Sequence, residues 1–293
     1  MVAELFNRAG LPPGVLNIVT GFGETGACLA QHKFISKISF TGSTEVGYLV
    51  MRNSHKENLK PITLELGGKS ANIILPDVKL DEAVEQACIV FSNAGQSCIA
   101  GSRTFVHEDI YDKFVEKAIS IAKGIKVGDP MNEDTDQGAQ ITKEQFDKIM
   151  NYIELGAKEG ATIAVGGKRV GNVGYFIEPT IFTNVEDHMT IAKEEIFGPV
   201  MSILKWKSID EVIERANSLP YGLGAGIMTN DVNKVMEMSD RLHAGTVYVN
   251  CYDYTEASTP FGGVKDSGIG KDLGDEGIES YLLTKTIIMK TQK

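Results

Sequence analysis

Extended and helical patterns alternate along this chain with short connections, and that alternation restricts the fold more than any other property of the sequence. The hydrophobic spacing predicts a helix over 2–9, a strand over 15–20, a helix over 25–31 and a strand over 37–41. A helix opening at Thr44 follows, then short extended runs at 62–66 and 72–75. Beyond residue 80 the helical patterns lengthen, over 81–91, 110–123 and 143–158, and strands are predicted at 201–204, 224–228 and 246–250. Strands separated by helices pair in parallel and are covered by those helices on the sheet faces, so the fold class is α/β. The chain opens on a helical pattern with no strand before it. A doubly wound dinucleotide domain has two βαβαβ halves, and fewer than one and a half precede Glu65, which predicts a truncation at the N-terminus.

Composition narrows the class of function. The 293 residues are 42% hydrophobic, enough for a sizeable buried core. Lys plus Arg is 29 and Asp plus Glu is 39, a formal charge of -10 that argues against a nucleic-acid surface. No apolar run approaches the ~20 residues needed to span a bilayer, and the N-terminus has no signal-peptide pattern, so no membrane role is expected. Cys28, Cys88, Cys98 and Cys251 lack CxxC spacing, which fits reduced thiols in the cytoplasm, or in a mitochondrial matrix, better than a disulfide or zinc framework. His32, His55, His107, His188 and His243 are isolated and show no metal-binding spacing, so no metal is expected.

Two residues stand out as reagents. Cys98, in Gly95-Gln96-Ser97-Cys98, has a small, polar approach after a helical pattern, whereas Cys88 sits among apolar neighbours like an inert core thiol. Glu65 ends an extended run just before Gly67-Gly68, where a glycine turn permits close approach by a ligand. A thiol that attacks a carbonyl and a carboxylate that activates water suffice to carry an aldehyde to an acid through a thioester. Taken singly, Cys98 could be a buried hydrophobe and Glu65 a solvated strand end; the pair carries the argument.

The segment 21–26 matches G-x-G-x-x-G, but the acidic residue that follows, Glu45, opens a helix rather than ending a strand. A better phosphate site is Phe40-Thr41-Gly42-Ser43-Thr44-Glu45-Val46-Gly47, where a strand turns through glycine into a hydroxyl-capped helix N-terminus. Glu194-Glu195-Ile196-Phe197-Gly198-Pro199-Val200 places carboxylates and an aromatic before a strand, suited to a sugar hydroxyl and ring packing. Pro260-Phe261-Gly262-Gly263-Val264-Lys265 offers an aromatic pocket wall or a glycine-rich surface loop.

In this order, Phe40-Thr41-Gly42-Ser43, Leu64-Glu65-Leu66-Gly67-Gly68-Lys69-Ser70, Gly95-Gln96-Ser97-Cys98, Glu195-Ile196-Phe197-Gly198-Pro199 and Pro260-Phe261-Gly262-Gly263 resemble the NAD(P)-dependent aldehyde dehydrogenase superfamily, and most of all its class 1/2, retinal dehydrogenase-like branch. The resemblance implies a partial Rossmann-like NAD-binding domain over 1–67, a catalytic α/β domain over 68–266, and a C-terminal segment over 267–293 whose β-prone stretch, 284–290, pairs across a subunit interface. It implies Cys98 as nucleophile and Glu65 as general base, with Gly42, Ser43, Thr44, Gly47, Leu66, Gly67, Gln145, Glu195 and Phe197 around the cofactor and Phe261 in the substrate pocket. The expected cofactor is NAD, with NADP open, the expected substrate an aldehyde, and the expected assembly a homo-oligomer, a dimer or tetramer. It also implies that the oxyanion-hole asparagine and the adenosine-ribose residues belong to a part of the family's sequence not found here. Two other readings stay open: a noncatalytic protein, truncated or crystallin-like, that keeps the fold, and an NAD-independent thiol esterase.

Overall fold

The computed structural model describes residues 1–291. Its strands in chain order are β1 (Ile38–Thr41), β2 (Ile62–Glu65), β3 (Ala71–Ile74), β4 (Arg103–His107), β5 (Thr162–Val165), β6 (Arg169–Val170), β7 (Phe176–Ile177), β8 (Thr180–Thr183), β9 (Val200–Trp206), β10 (Gly224–Met228), β11 (Thr246–Val249) and β12 (Gly268–Ile269). The helices are α1 (Val2–Arg8), α2 (Gly23–Gln31), α3 (Thr44–Ser54), α4 (Leu80–Cys88), α5 (Tyr111–Gly124), α6 (Lys143–Lys158), α7 (Thr190–Lys193), α8 (Ile209–Asn217), α9 (Val232–Arg241) and α10 (Gly274–Glu279).

The central sheet has the order β11-β10-β3-β4-β9-β8-β5 and is parallel except for β5, which pairs antiparallel with β8. Its middle strands are buried on both faces, and successive side chains feed two separate cores. Ile73, Phe105, Leu204 and Ile227 face a cluster with Ile149 and Ile153 of α6, Val212 of α8 and Met238 of α9. Ile74, Val106, Ile203 and Met228 face the other, with Val84 of α4 and Phe114 and Ala118 of α5. The period of two along each strand therefore explains why helices cover both sides of the sheet. A smaller sheet holds β1 and β2 in parallel, with β12 returning antiparallel along β2. The connection from Leu66 to Ser70 crosses from this sheet to the central one.

Several predicted elements differ from the observed ones. Residues 15–20 form no strand, and Val15, Ile18 and Val19 are exposed, because no strand lies beside them to satisfy their backbone groups among the described residues. Residues 284–290 likewise form no strand within the chain, and Ile287, Ile288 and Met289 are exposed. The helix predicted over 81–91 ends at Cys88; a short 3-10 turn from Ile89 follows and breaks at Ser92, beyond which Asn93, Ala94 and Gly95 turn left-handed. The extended runs after α3 do not share a sheet: one is β2 and the other β3.

Candidate active site

Thr41 and Glu65, the last residues of β1 and β2, are register partners, and Glu65 also faces Gly268 of β12. Ligands of parallel sheets gather beyond such carboxyl ends. Here a cleft of about 490 Å³ opens there, and the residues predicted for the site converge on it: Gly42, Ser43, Glu65, Leu66, Gly67, Cys98, Gln145, Glu195 and Phe197. That volume suits a small-molecule ligand. Thr41, Gln96, Ser97 and Lys148 complete the wall. Lys148, one helical turn after Gln145 on α6, is the member the motifs missed, and its i, i+3 spacing from Gln145 was the available signal.

Three predicted residues lie outside the wall. Gly47 packs under it, since a Cβ there would stand 2.6 Å from Leu66 Cδ2. Thr44 turns its Oγ1 to the carbonyl of Asp266 at 3.3 Å. Phe261 exchanges backbone hydrogen bonds with Asp272, both 2.7 Å, and packs against the same apolar cluster as Cys98 rather than lining the cleft.

On the β1 side, Ser43 caps α3 by accepting from the Val46 amide at 3.3 Å, leaving a helix N-terminus at the cleft. By contrast, Gly23 and Gly26 of the G-x-G-x-x-G segment are exposed and outside the cleft.

The loop that leads to Cys98 is built on strained backbone. Asn93, Ala94 and Gly95 have φ of 50°, 55° and 71°, a left-handed run that costs about 1–2 kcal/mol at each non-glycine position. Gln96 and Asn93 hold each other reciprocally, side chain to backbone carbonyl, at 3.0 Å in both directions. Gln96 Oε1 accepts from the Ile141 amide at 2.9 Å, and Gln140 Nε2 donates to Ala94 O at 3.2 Å. A Cβ on Gly95 would overlap the Gly198 carbonyl, so this loop lies directly on the segment that carries Glu195 and Phe197. That segment is tied down in turn. Gln145 Nε2 donates to Ile196 O at 2.9 Å and Phe197 O at 3.0 Å, and Phe197 itself has φ 57°. Glu195 Oε1 accepts from the Gly68 amide at 3.0 Å, and a side chain on Gly67 would overlap its carboxylate.

Burial dominates the electrostatics. Glu65 is 6% exposed, its Oε2 has no hydrogen-bond partner, and desolvation, assisted by Asp272 and opposed by Lys271, pushes its carboxyl up to about 8. Gly262 has no side chain because one would overlap Glu65 Oε1. The Cys98 thiol is pushed up to about 11 by desolvation and by Glu195 and Glu65, while the amides of Cys98 and Ile99 draw it down. Among the described residues no neighbouring cation depresses it. Desolvation raises Glu195 as well, against the Gly68 amide, Lys148 and Lys69. The cleft thus holds a protonated thiol whose own amide faces the sulfur, and a buried carboxyl poised near neutrality.

The aldehyde dehydrogenase family model matches residues 1–287. The chain is 54% identical over 291 residues to the mitochondrial aldehyde dehydrogenase of Mesocricetus auratus, covering 99% of this chain and 58% of that protein. It is 55% identical over 291 residues to aldehyde dehydrogenase 1A1 of Gallus gallus, covering 57% of that protein. The NAD+ complex of a Bacillus cereus aldehyde dehydrogenase superposes with a TM-score of 0.93 at 48% identity, over 95% of this chain and 57% of the other. The chain therefore spans less than two thirds of the length of these relatives, and over that span it belongs to the aldehyde dehydrogenase family.

Proposed function

We propose that the protein oxidises an aldehyde to a carboxylic acid with NAD(P)+, using Cys98 as nucleophile and Glu65 as general base. The observation that carries this reading is the convergence of the Cys98 thiol, the buried Glu65 carboxyl and the N-terminus of α3 on one cleft. The dehydrogenase named in the Bacillus cereus structure is an NAD+ complex, which supports the same cofactor here.

The residues present fit a dinucleotide. Gly42, Ser43 and the first amides of α3 offer an anion cradle, and Glu195, held by the Gly68 amide, offers a carboxylate to a sugar hydroxyl. Gln145 keeps the backbone of Ile196 and Phe197 in place beside it. Bound there, NAD(P)+ supplies the hydride acceptor that converts a thiohemiacetal into a thioester. The chain's own residues do the rest. Cys98, once deprotonated, forms the C–S bond to the aldehyde carbon, and the Cys98 amide donates to the oxygen on which charge develops. Glu65 then takes a proton from water, the resulting hydroxide adds to the thioester carbonyl, and the C–S bond breaks to release the acid and the thiolate.

In this reading residues 1–67 contribute part of the cofactor domain, 68–266 form the catalytic domain, and 267–293 form a C-terminal segment that offers 284–290 to a second copy. Aldehyde-dependent NADH formation tests it. Cys98→Ala should abolish turnover, and Glu65→Gln should let an acyl group accumulate on Cys98, visible as a mass increase on its peptide. Folded protein that yields neither NADH nor acylated Cys98 would overturn the proposal. Nitrophenyl acetate hydrolysis without cofactor would identify a thiol esterase instead.

A further inference from the structure

A cavity of about 20 Å³ lies at the entry to β3 and β4, and none of its lining residues belongs to the Cys98 cleft. Two cations line it. Lys69 and Arg103 are each only 2% exposed, and Lys69 Nζ has no hydrogen-bond partner. Arg103 donates its terminal nitrogens to Arg215 O at 3.0 Å and Ala216 O at 2.8 Å, but its Nε is likewise unpartnered. Among the described residues no Asp or Glu lines the cavity. Glu194 and Glu195 act on Lys69, and Asp187 on Arg103, from outside it, and each has another partner: Glu194 accepts from Tyr152, Glu195 from the Gly68 amide and Asp187 from Arg215 Nε. Lys265, near enough to feel Arg103, ties its Nζ to the carbonyls of Asn217 and Leu219 and adds positive charge at the rim.

Burying an ammonium and a guanidinium together is unfavourable unless a counter-charge reaches them. The strain is visible in Lys69, whose ammonium is pushed down to about 7, first by desolvation and then by Arg103. We propose that this cavity binds one monovalent anion of halide size, held between Lys69 Nζ and Arg103 Nε. The space exceeds the ~10–15 Å³ that a single water-sized occupant needs, so it admits one small ion. A water would meet the two donors with its lone pairs but leave the two charges only to carboxylates outside the cavity; an anion meets the donors and the charge together. The bound ion would brace the start of β3 and, because Lys69 follows Gly68, the turn that holds Glu195.

Bromide is the direct probe. Crystals of the protein grown in sodium bromide should give an anomalous peak between Lys69 Nζ and Arg103 Nε. A water in the cavity, or bromide only on the exposed surface, would overturn the assignment. Thermal unfolding at pH 6, where the Lys69 ammonium is charged, supplies the second measurement, with chloride exchanged for gluconate at constant ionic strength. Tm should rise saturably with chloride in the unaltered protein and lose that response in Lys69→Met. Equal Tm in the two salts would overturn the assignment even if the variant fails to fold.

Discussion

The thiol of Cys98 should be slow to react at rest, and the structure sets by how much. A thiol pushed up to about 11 is ionised to about 3 parts in 10⁴ at pH 7.5, whereas an ordinary cysteine near 8.5 is ionised to roughly 9%. That is about 300-fold less thiolate. A more basic thiolate is also a better nucleophile, with a Brønsted slope of about 0.4–0.5, which restores roughly 10- to 20-fold. The net expectation is alkylation of Cys98 by iodoacetamide about 15- to 30-fold slower than that of a free cysteine at the same pH. The exposed Cys28 provides a second thiol in the same digest for comparison by peptide mass spectrometry. The logarithm of the rate should climb about one unit per pH unit from 7 to beyond 9, without a plateau. Glu195→Gln should speed alkylation more than Glu65→Gln, because Glu195 is the larger of the two carboxylate contributions. Cys98 reacting as fast as free cysteine at pH 7, with an inflection near neutrality, would refute the reasoning and require a cation at the sulfur.

Glu65→Gln should also change stability with pH. The folded carboxyl titrates near 8 and the unfolded one near 4.5, so rising pH across that window ionises the unfolded chain first and weakens the folded state. The advantage of the Gln variant in Tm should therefore grow from pH 5 to 8 and then level off; a gap that shrinks with pH would contradict the burial argument. Gly95→Ala should lower stability by more than the ~1–2 kcal/mol of a left-handed alanine, because its Cβ meets the Gly198 carbonyl, and urea unfolding reads this directly. Gln145→Leu removes two hydrogen bonds to backbone carbonyls and should cost about 1–2 kcal/mol in the same assay while weakening NAD+ binding. Unchanged NAD+ affinity would show that the Ile196–Phe197 backbone needs no clamp.

Much of this arrangement was legible in the residues. Helix α6 has the predicted bounds, because its apolar positions repeat cleanly and Thr142 caps it by accepting from the Gln145 amide at 3.2 Å. Strand β10 was found as well, since it is buried along its whole length. Strand β4 escaped because it begins Arg103-Thr104, two polar residues buried at 2% and 0%, so it shows neither alternation nor a continuous apolar run. Residues 15–20 misled for the opposite reason: their apolar composition suits a strand, but pairing is a property of the neighbour and not of the segment. The glycine-bracketed motifs located the cleft because close approach leaves a mark in composition. What they could not convey was the displacement of Phe261 into the apolar cluster or the raised thiol, both of which depend on which distant segments pack together.

Gly95 resting on Gly198 has an evolutionary consequence. The loop that carries the sulfur and the loop that carries Glu195 are in direct backbone contact, so neither can shift without displacing the other. Change is left to segments outside this joint. Residues 253–259, exposed and tied to the C-terminal segment by the Gly274 amide's hydrogen bond to Ala257 O at 3.0 Å, can change with less structural penalty than the joint. A fixed joint and a changeable rim thereby fall to different stretches of one chain.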